Sequence, residues 1–465
     1  MNTDFLTRRG FFNSVGQGLV GIALADLLAR NGSSLERQTH ATAPKRFDLT
    51  PKTPHFAPRA KSVIQLFMHG GPIQVDLIDP KPALEKYDGQ KFPGVIDVQQ
   101  SEEAGGILKI HFKFAMYGQS GIEVSDIMPH VAQRVDDLCV IRSMWTEHIN
   151  HEPALWMIHT GRTIPGRPSI GTWLVYGLGS ESQDLPAYVV LDDPKGLPVD
   201  GIRDWSSRWL PPQFQGTRFR ATGTPVWNLN PIREVPAPLQ QARRELLAKI
   251  DAVHLAARPG EPELDGRIVS YALAARMQLS ATAALDLSQE TKTTQAAYGI
   301  DNKTTDSYGR RCLLARRLVE RGVRYVQLFI DGQIWDNHSK LESGICGACA
   351  RTDQPVAALL AETLVIWGGE FGRLPISQSK NGRDHGRQGF SIWMAGGGVK
   401  AGHIHGATDE FGYAAVENRV SVPDLHATIL HLLRMDHKEL TFSRNGLDER
   451  LTGVYKPRVV SEIVA

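Results

Sequence analysis

"YVQLFIDGQIWDNH", residues 325–338, decides how this chain is read. An apolar run ends at the turn pair Asp331-Gly332 and hands on, within a few residues, to Asp336 and His338. A short apolar run closed by a glycine turn reads as a buried strand, and in an open α/β sheet ligands sit beyond the carboxyl ends of such strands. An aspartate and a histidine delivered there are either a polar turn or half of a metal site. The other strand candidates decide between the two.

Three further apolar runs end in the same way. "SVIQLFMHGGP" (62–72) delivers His69, "ETLVIWGGEFGR" (362–373) delivers Glu370, and Asp384-His385 stand just before "FSIWMAGGG" (390–398). Each delivered residue is an imidazole or a carboxylate. Neutral histidine nitrogens mixed with carboxylate oxygens suit Zn²⁺, Mn²⁺ or Fe better than the all-oxygen shells preferred by Ca²⁺ and Mg²⁺, although Ca²⁺ stays in the candidate set. Between these runs lie helical patterns. Ala154, Leu155 and Ile158 repeat at helical spacing after "TEHINHEP"; Leu239, Ala242, Leu246, Leu247 and Ile250 form one stripe; "RRCLLARRLVERG" leads into the 325–338 strand; "VPDLHATILHLLRM" closes the series. Strands alternating with helices predict an α/β sandwich: a mostly parallel central sheet with helices on both faces. Residues 200–235, rich in Trp, Pro and Gly, read as long loops.

The totals agree with a soluble globular chain: 465 residues, 42% hydrophobic and 22% charged. A net charge of +2, from 52 basic and 50 acidic side chains, gives no electrostatic case for nucleic acid or an anionic membrane. The N-terminus reads differently. Arg8 and Arg9 precede a weakly apolar stretch too short and too interrupted to span a bilayer, and "THATAP" offers a cleavage site at Ala41–Ala43. This is the pattern of a twin-arginine export signal, which implies the twin-arginine translocase as a partner and a periplasmic or extracellular destination. The expected organisation is a signal over 1–43, a Pro-rich basic linker or N-terminal arm over 44–60, and one domain over 61–465 with no stable membrane span.

The motifs "GGPIQVDLIDPKP", "WDNH", "GGEFGR", "GRDHG", "MAGGGVKAGHIHGATDEFGY" and "DLHATILHLL" stand here in one order. Together they resemble an exported bacterial branch of the alkaline phosphatase and sulfatase superfamily, the domain-of-unknown-function family 1501. The resemblance implies an alkaline phosphatase-like three-layer fold and one or two divalent metal ions. It further implies hydrolysis of a phosphate, sulfate or related anionic ester, on a small molecule or a sulfated or phosphorylated polymer. Asp336, His338 and His385 would hold one ion; His69 and Glu370, with Asp384, would hold or approach another. The alternative is a non-catalytic exported binding or surface-assembly protein on the same scaffold, since a fold does not dictate an activity.

The departures concern the chemistry. His69 stands where the superfamily has an aspartate, and Glu370-Phe371 where it has an Asp-His pair. "HEPALWMIHTGR" (151–162) keeps the Pro153 and Thr160-Gly161-Arg162 spacing of the sulfatase nucleophile segment but puts His151 at the cysteine position. No formylglycine or phosphoserine can arise from histidine. His151 is then a nucleophile, a general base, a metal ligand or a structural residue at a helix start, with Asn150 and His148 placed to orient it. His151, Asn150 and Arg373 are grouped as catalytic, and Arg162 and Arg387 as substrate-binding through forked hydrogen bonds to an anion. Cys346-Gly-Ala-Cys349 reads as a local disulfide or two plain thiols. Only about 20 residues separate "WDNHSK" from "ETLVIW", which predicts a short helix there.

Overall fold

The computed structural model describes residues 48–57, 59–99, 101–220, 226, 235–258, 261–360 and 363–465. These belong almost wholly to one compact unit, Phe47–Ala257 with Glu261–Ala465; the segment 1–43, read above as an export signal, lies outside the described residues.

Among the described residues nine strands form the central sheet: β1 (Val63–Phe67), β2 (Leu138–Trp145), β3 (Tyr188–Leu191), β4 (Thr217–Phe219), β5 (Tyr325–Phe329), β6 (Leu364–Gly368), β7 (Phe390–Ala395), β8 (His403–His405) and β9 (Val420–Ser421). Their order is β8-β2-β7-β6-β1-β5-β3-β4, with β9 also on β2, and only β7 runs antiparallel to its neighbours. The inner strands β1, β3, β5, β6 and β7 are buried along their whole length because both faces are covered, as a parallel sheet requires. Side chains alternate between faces: Ile64, Leu66, Val365 and Trp367 join one core with the helix Asp306–Glu320 and the helix Leu341–Leu359. Val63, Phe67, Leu364 and Ile366 join a second core with His151–Thr160, Ile170–Leu178 and Val422–Leu432. The result is the three-layer α/β sandwich expected from the strand pattern.

Two expectations change, and a third resolves to one of its alternatives. The segment before β6 is a 19-residue helix, Leu341–Leu359, with Cys346 and Cys349 as free thiols one turn apart. It needs no longer connection, because the chain turns into it directly at Lys340, whose φ is +52°. Residues 48–57 and 59–60 take the arm form of the linker-or-arm expectation: Leu49 and Ala60 are buried, and backbone bonds tie Lys52 to Leu178 and Ala60 to Leu432. The stripe on the helix Ala237–Ala256 is not core, since Leu239, Leu246 and Leu247 remain about half exposed.

Two buried polar features shape the sheet's functional edge. Arg311, fully buried, donates to Asp193 Oδ2 at 2.5 Å and to the carbonyls of Asp192 and Phe329, pinning the ends of β3 and β5 together. Beneath the edge, Gln65 and Gln327 sit opposite each other in register; Gln327 meets Tyr188 Oη, Gln65 and His159 Nδ1, and Gln65 accepts from Tyr325 Oη. His426 lies in the same layer and donates Nε2–H to the Ile158 carbonyl at 2.8 Å.

Arg311→Met should lower unfolding free energy by about 3 kcal/mol in denaturant titrations, because it strips a buried carboxylate of its main partner while Arg351 stays 3.6 Å away. An unchanged midpoint would show the pair to be dispensable. Burial pushes the His426 imidazole down to about 4. The unfolded chain, with histidine near 6.5, therefore binds more protons below that pH, and stability should fall from pH 6.5 towards 4 by roughly 3 kcal/mol from this group. His426→Gln should flatten that slope; an unaltered pH profile contradicts the assignment.

Candidate metal centre

Strand register explains why the chemistry converges. Phe67 of β1 is level with Phe329 of β5 and with Gly368 of β6, so all three parallel strands end together. His69 and Glu370 each lie two residues past that line. After β5, the buried Trp335 packs edge-on against Trp367 and holds the loop so that Asp336 returns to the edge. Glycine is required where this happens: a Cβ on Gly70 (φ +111°) would lie 2.6 Å from the Asp336 nitrogen, and one on Gly382 would lie 1.9 Å from the His338 carbonyl oxygen. The fourth delivery comes from the opposite direction. β7 starts at this edge, and the strand pair Gly372–Arg373 with His385–Gly386 places His385 directly across from Arg373.

Asp336, His338 and His385 meet there. His338 Nε2 is 2.9 Å from Asp336 Oδ1 and 3.0 Å from His385 Nε2, and His385 Nε2 is 3.2 Å from the same oxygen. The partners of the other ring nitrogens define the tautomers. His385 Nδ1 lies 2.8 Å from the Ile149 carbonyl, which only accepts, so that nitrogen carries the proton. His338 Nδ1 faces Gln378 Oε1 at 2.5 Å, an orientation of the amide supported by its Nε2 reaching Glu103. In their neutral forms both rings thus point bare Nε2 lone pairs at each other and at a carboxylate oxygen. A proton among them relieves one contact; a cation relieves all three. The donor set fits a divalent metal, and the outer hydrogen bonds are those that orient metal-bound histidines.

A second group, His69, His151 and Glu370, adjoins the first, and within each group the ligand atoms lie within 4.8 Å of one another. His151 opens the helix His151–Thr160. Its Nδ1 is 2.7 Å from Glu370 Oε1, and its Nε2 is 3.3 Å from Asp336 Oδ2 without hydrogen-bond alignment. Glu370 is fully buried and also accepts from the Gly70 nitrogen at 3.0 Å. His69 is fully buried, and among the described residues neither ring nitrogen has an aligned hydrogen-bond partner.

Electrostatics follow from this crowding. Burial alone would raise the Asp336 carboxyl, but its bonds to His151, His338 and His385 and the nearby Arg373 hold it far below the usual carboxylate range. Burial also opposes charge on His151, yet Asp336 and Glu370 lift it to about 9. His385 is lowered to about 4, chiefly by burial, and burial lowers His69 as well.

Five sequence-assigned residues lie outside the two groups. Asp384 belongs to neither group: its Oδ2 accepts from the Gln99 nitrogen and its Oδ1 from the His385 nitrogen, both at 2.8 Å, which orients the loop instead of offering a ligand. The fully buried Arg373 guanidinium bonds the carbonyls of Gly70, Gly71 and Arg383 and the Asp336 carboxylate, so it braces Asp336 and has no face for a substrate. Arg387 is tied to Asp97 at 2.6 Å and to the Glu147 carbonyl at 3.0 Å. Arg162 lies over the Tyr455 ring, 5.6 Å from its centroid. Asn150 is exposed and takes a hydrogen bond from Gln99 Nε2 at 2.9 Å. The sequence reading passed over Gln378, Gln99, the Ile149 carbonyl and Phe371, whose ring lies 4.9 Å from His151 and 4.5 Å from His385. Only Phe371 carried a signal, standing where the superfamily has a histidine.

Solved structures similar to the chain include Ps i-CgsB (10% identity, TM-score 0.36, covering 81% of this chain and 72% of that one). Others are the PsFucS1 sulfatase from Pseudoalteromonas sp. (11%, 0.33, 85% and 72%) and the lipoteichoic acid synthase LtaP from Listeria monocytogenes (8%, 0.34, 87% and 78%). At such identities and scores nothing about this chain's activity follows from theirs. No curated protein matches the chain. The profile described as "Protein of unknown function (DUF1501)" matches residues 60–464, nearly all of the sandwich and both ligand groups, and the chain therefore belongs to the DUF1501 family.

Proposed function

We propose that Asp336, His338 and His385 hold a divalent metal ion and that the protein hydrolyses an anionic ester, phosphate or sulfate, outside the cytoplasm. The observation that carries this reading is the convergence of two imidazole Nε2 atoms on one carboxylate oxygen, at 2.9 and 3.2 Å. Two nitrogens among three donors favour Zn²⁺, Mn²⁺ or Fe over Ca²⁺. Such an ion, when bound, supplies Lewis acidity towards an ester oxygen and lowers the pKa of water at an open position. The chain's own part is preorganisation. Arg373 fixes Asp336, the Ile149 carbonyl and Gln378 fix the two ring tautomers, and Phe371 lines the centre with an apolar face. His151 has both nitrogens turned to carboxylates, which favours a ligand role over attack on the substrate. The substrate class, a small anionic ester or a sulfated or phosphorylated polymer, rests on the family resemblance.

One observation favours the second reading, a non-catalytic exported protein with a metal-stabilised scaffold. Arg373 and Arg387 are spent on internal carbonyls and carboxylates, and Arg162 lies against Tyr455, so each of these three guanidiniums is already engaged within the protein. Among the described residues no helix is long and apolar enough to cross a membrane. Export through the twin-arginine pathway is proposed from Arg8 and Arg9.

His338→Ala and His385→Ala should each empty the first site in elemental analysis of purified protein, while Arg162→Ala retains the metal; full metal in the histidine variants would refute the ligand set. Wild-type protein should turn over aryl phosphate or aryl sulfate, and Asp336→Asn should cut kcat/KM by more than the 10–100-fold typical of losing a supporting partner. Metal-loaded protein inert towards both esters would support the second reading. Replacing Arg8 and Arg9 by lysines should block export of a fused reporter, and export at the normal rate would remove the twin-arginine assignment.

A further inference from the structure

Two of the four cysteines are buried singly, Cys312 in one core and Cys139 in the other. Cys346 and Cys349 are placed differently. They stand one turn apart on the helix Leu341–Leu359, Cys346 exposed and Cys349 buried, and both line a cleft of about 380 Å³ whose walls also include Asp126, His130 and Asp353. A reduced thiol ordinarily packs as a small buried hydrophobe, so an exposed one beside a second thiol is not accounted for by packing. We infer that Cys346 and Cys349 form a site for a thiophilic monovalent cation, Cu(I), held between their two sulfurs.

Helix geometry separates this reading from a disulfide. Side chains three residues apart on a helix have Cβ atoms ~5–6 Å apart, whereas a disulfide draws them in to ~3.5–4.5 Å. The helix runs unbroken through both cysteines, so closing that bond would pull a regular turn out of shape. An ion bonded to one sulfur on each side, at the ~2.3 Å of a metal–thiolate bond, asks only that the sulfurs lie roughly 4–5 Å apart, which the undistorted turn allows. Coordination number then selects the ion. Neither cysteine belongs to a group of three or more metal-ligating side chains among the described residues, so no third donor is at hand. Zinc in a structural site asks for four ligands; Cu(I) is satisfied by two, and thiolates are the ligands that select it. Asp353, one turn beyond Cys349, is otherwise engaged: it accepts from the His130 and Val131 nitrogens, both at 2.8 Å. On binding, the two S–H protons pass to the buffer and two Cu–S bonds form with no change of oxidation state, which leaves the site with one net negative charge.

The site shares no residue with the centre formed by Asp336, His338 and His385, and its test is separate. The full-length protein is reduced, loaded with Cu(I) under anaerobic conditions in competition with the chelator bicinchoninate, and examined by elemental analysis and X-ray absorption. The expected result is one copper per chain with two sulfur neighbours, retained in His338→Ala. Cys346→Ser should weaken Cu(I) binding by more than ~100-fold, above the usual cost of losing a supporting partner. Because Cys346 is exposed, that change spares the core; Cys349→Ser, at a buried position, should weaken binding alike. Copper held equally well by Cys346→Ser, copper with nitrogen neighbours alone, or none held against the chelator would each overturn the site. So would a bond between Cys346 and Cys349 found by mass spectrometry of protein isolated without reductant.

Discussion

Everything at the edge of this sheet answers to one constraint: imidazoles and carboxylates have been brought together by parallel strands that end level. Level ends are a backbone property, set by the register of β1 against β5 and β6. Given that register, His69 and Glu370 cannot avoid each other, and the loop after β5 is folded back by Trp335 until Asp336 joins them. Like lone pairs at such distances repel unless a positive charge lies between them. The fold thus creates an electrostatic demand that its own side chains meet only in part.

What the protein does supply is bracing. Arg373 is buried in full and spends its guanidinium on three carbonyls and Asp336, tying the glycine turn after β1 to the loop after β5. Arg383, equally buried, pairs with Asp76 at 2.9 Å and bonds the carbonyls of Leu108 and Lys109. Buried ion pairs of this kind add little net stability, but removing one partner is costly, so they hold geometry more than they add free energy. Ligand groups braced in this way keep their places whether or not a charge sits among them, which is the preorganisation a metal centre needs.

Much of this was legible in the sequence, and the parts that were not share physical causes. Apolar runs punctuated by glycine are local signals, so β1, β5, β6 and β7 and the donors just beyond them could be read directly. Asp384 and His385 could not be told apart, because neighbouring residues on an extended segment face opposite ways and only tertiary pairing with Arg373 shows which one faces the centre. Arg373 was visible as a charge near the site, but the carbonyls it serves belong to Gly70, Gly71 and Arg383, two of them some 300 positions away. The stripe on Ala237–Ala256 has genuine helical spacing, yet spacing does not say what covers a face. The prolines before residue 60 leave linker and arm open, and the choice lies in backbone hydrogen bonds that composition does not report.

The central claim is that the lone pairs of Asp336, His338 and His385 enclose a metal ion. Anomalous X-ray scattering from crystals of the purified protein, measured across the absorption edges of zinc, manganese and iron, tests it most directly. The account predicts an anomalous peak about 2.0–2.2 Å from Asp336 Oδ1, His338 Nε2 and His385 Nε2. The three side chains ordered as described, with no anomalous peak among them at any of these edges, would contradict it.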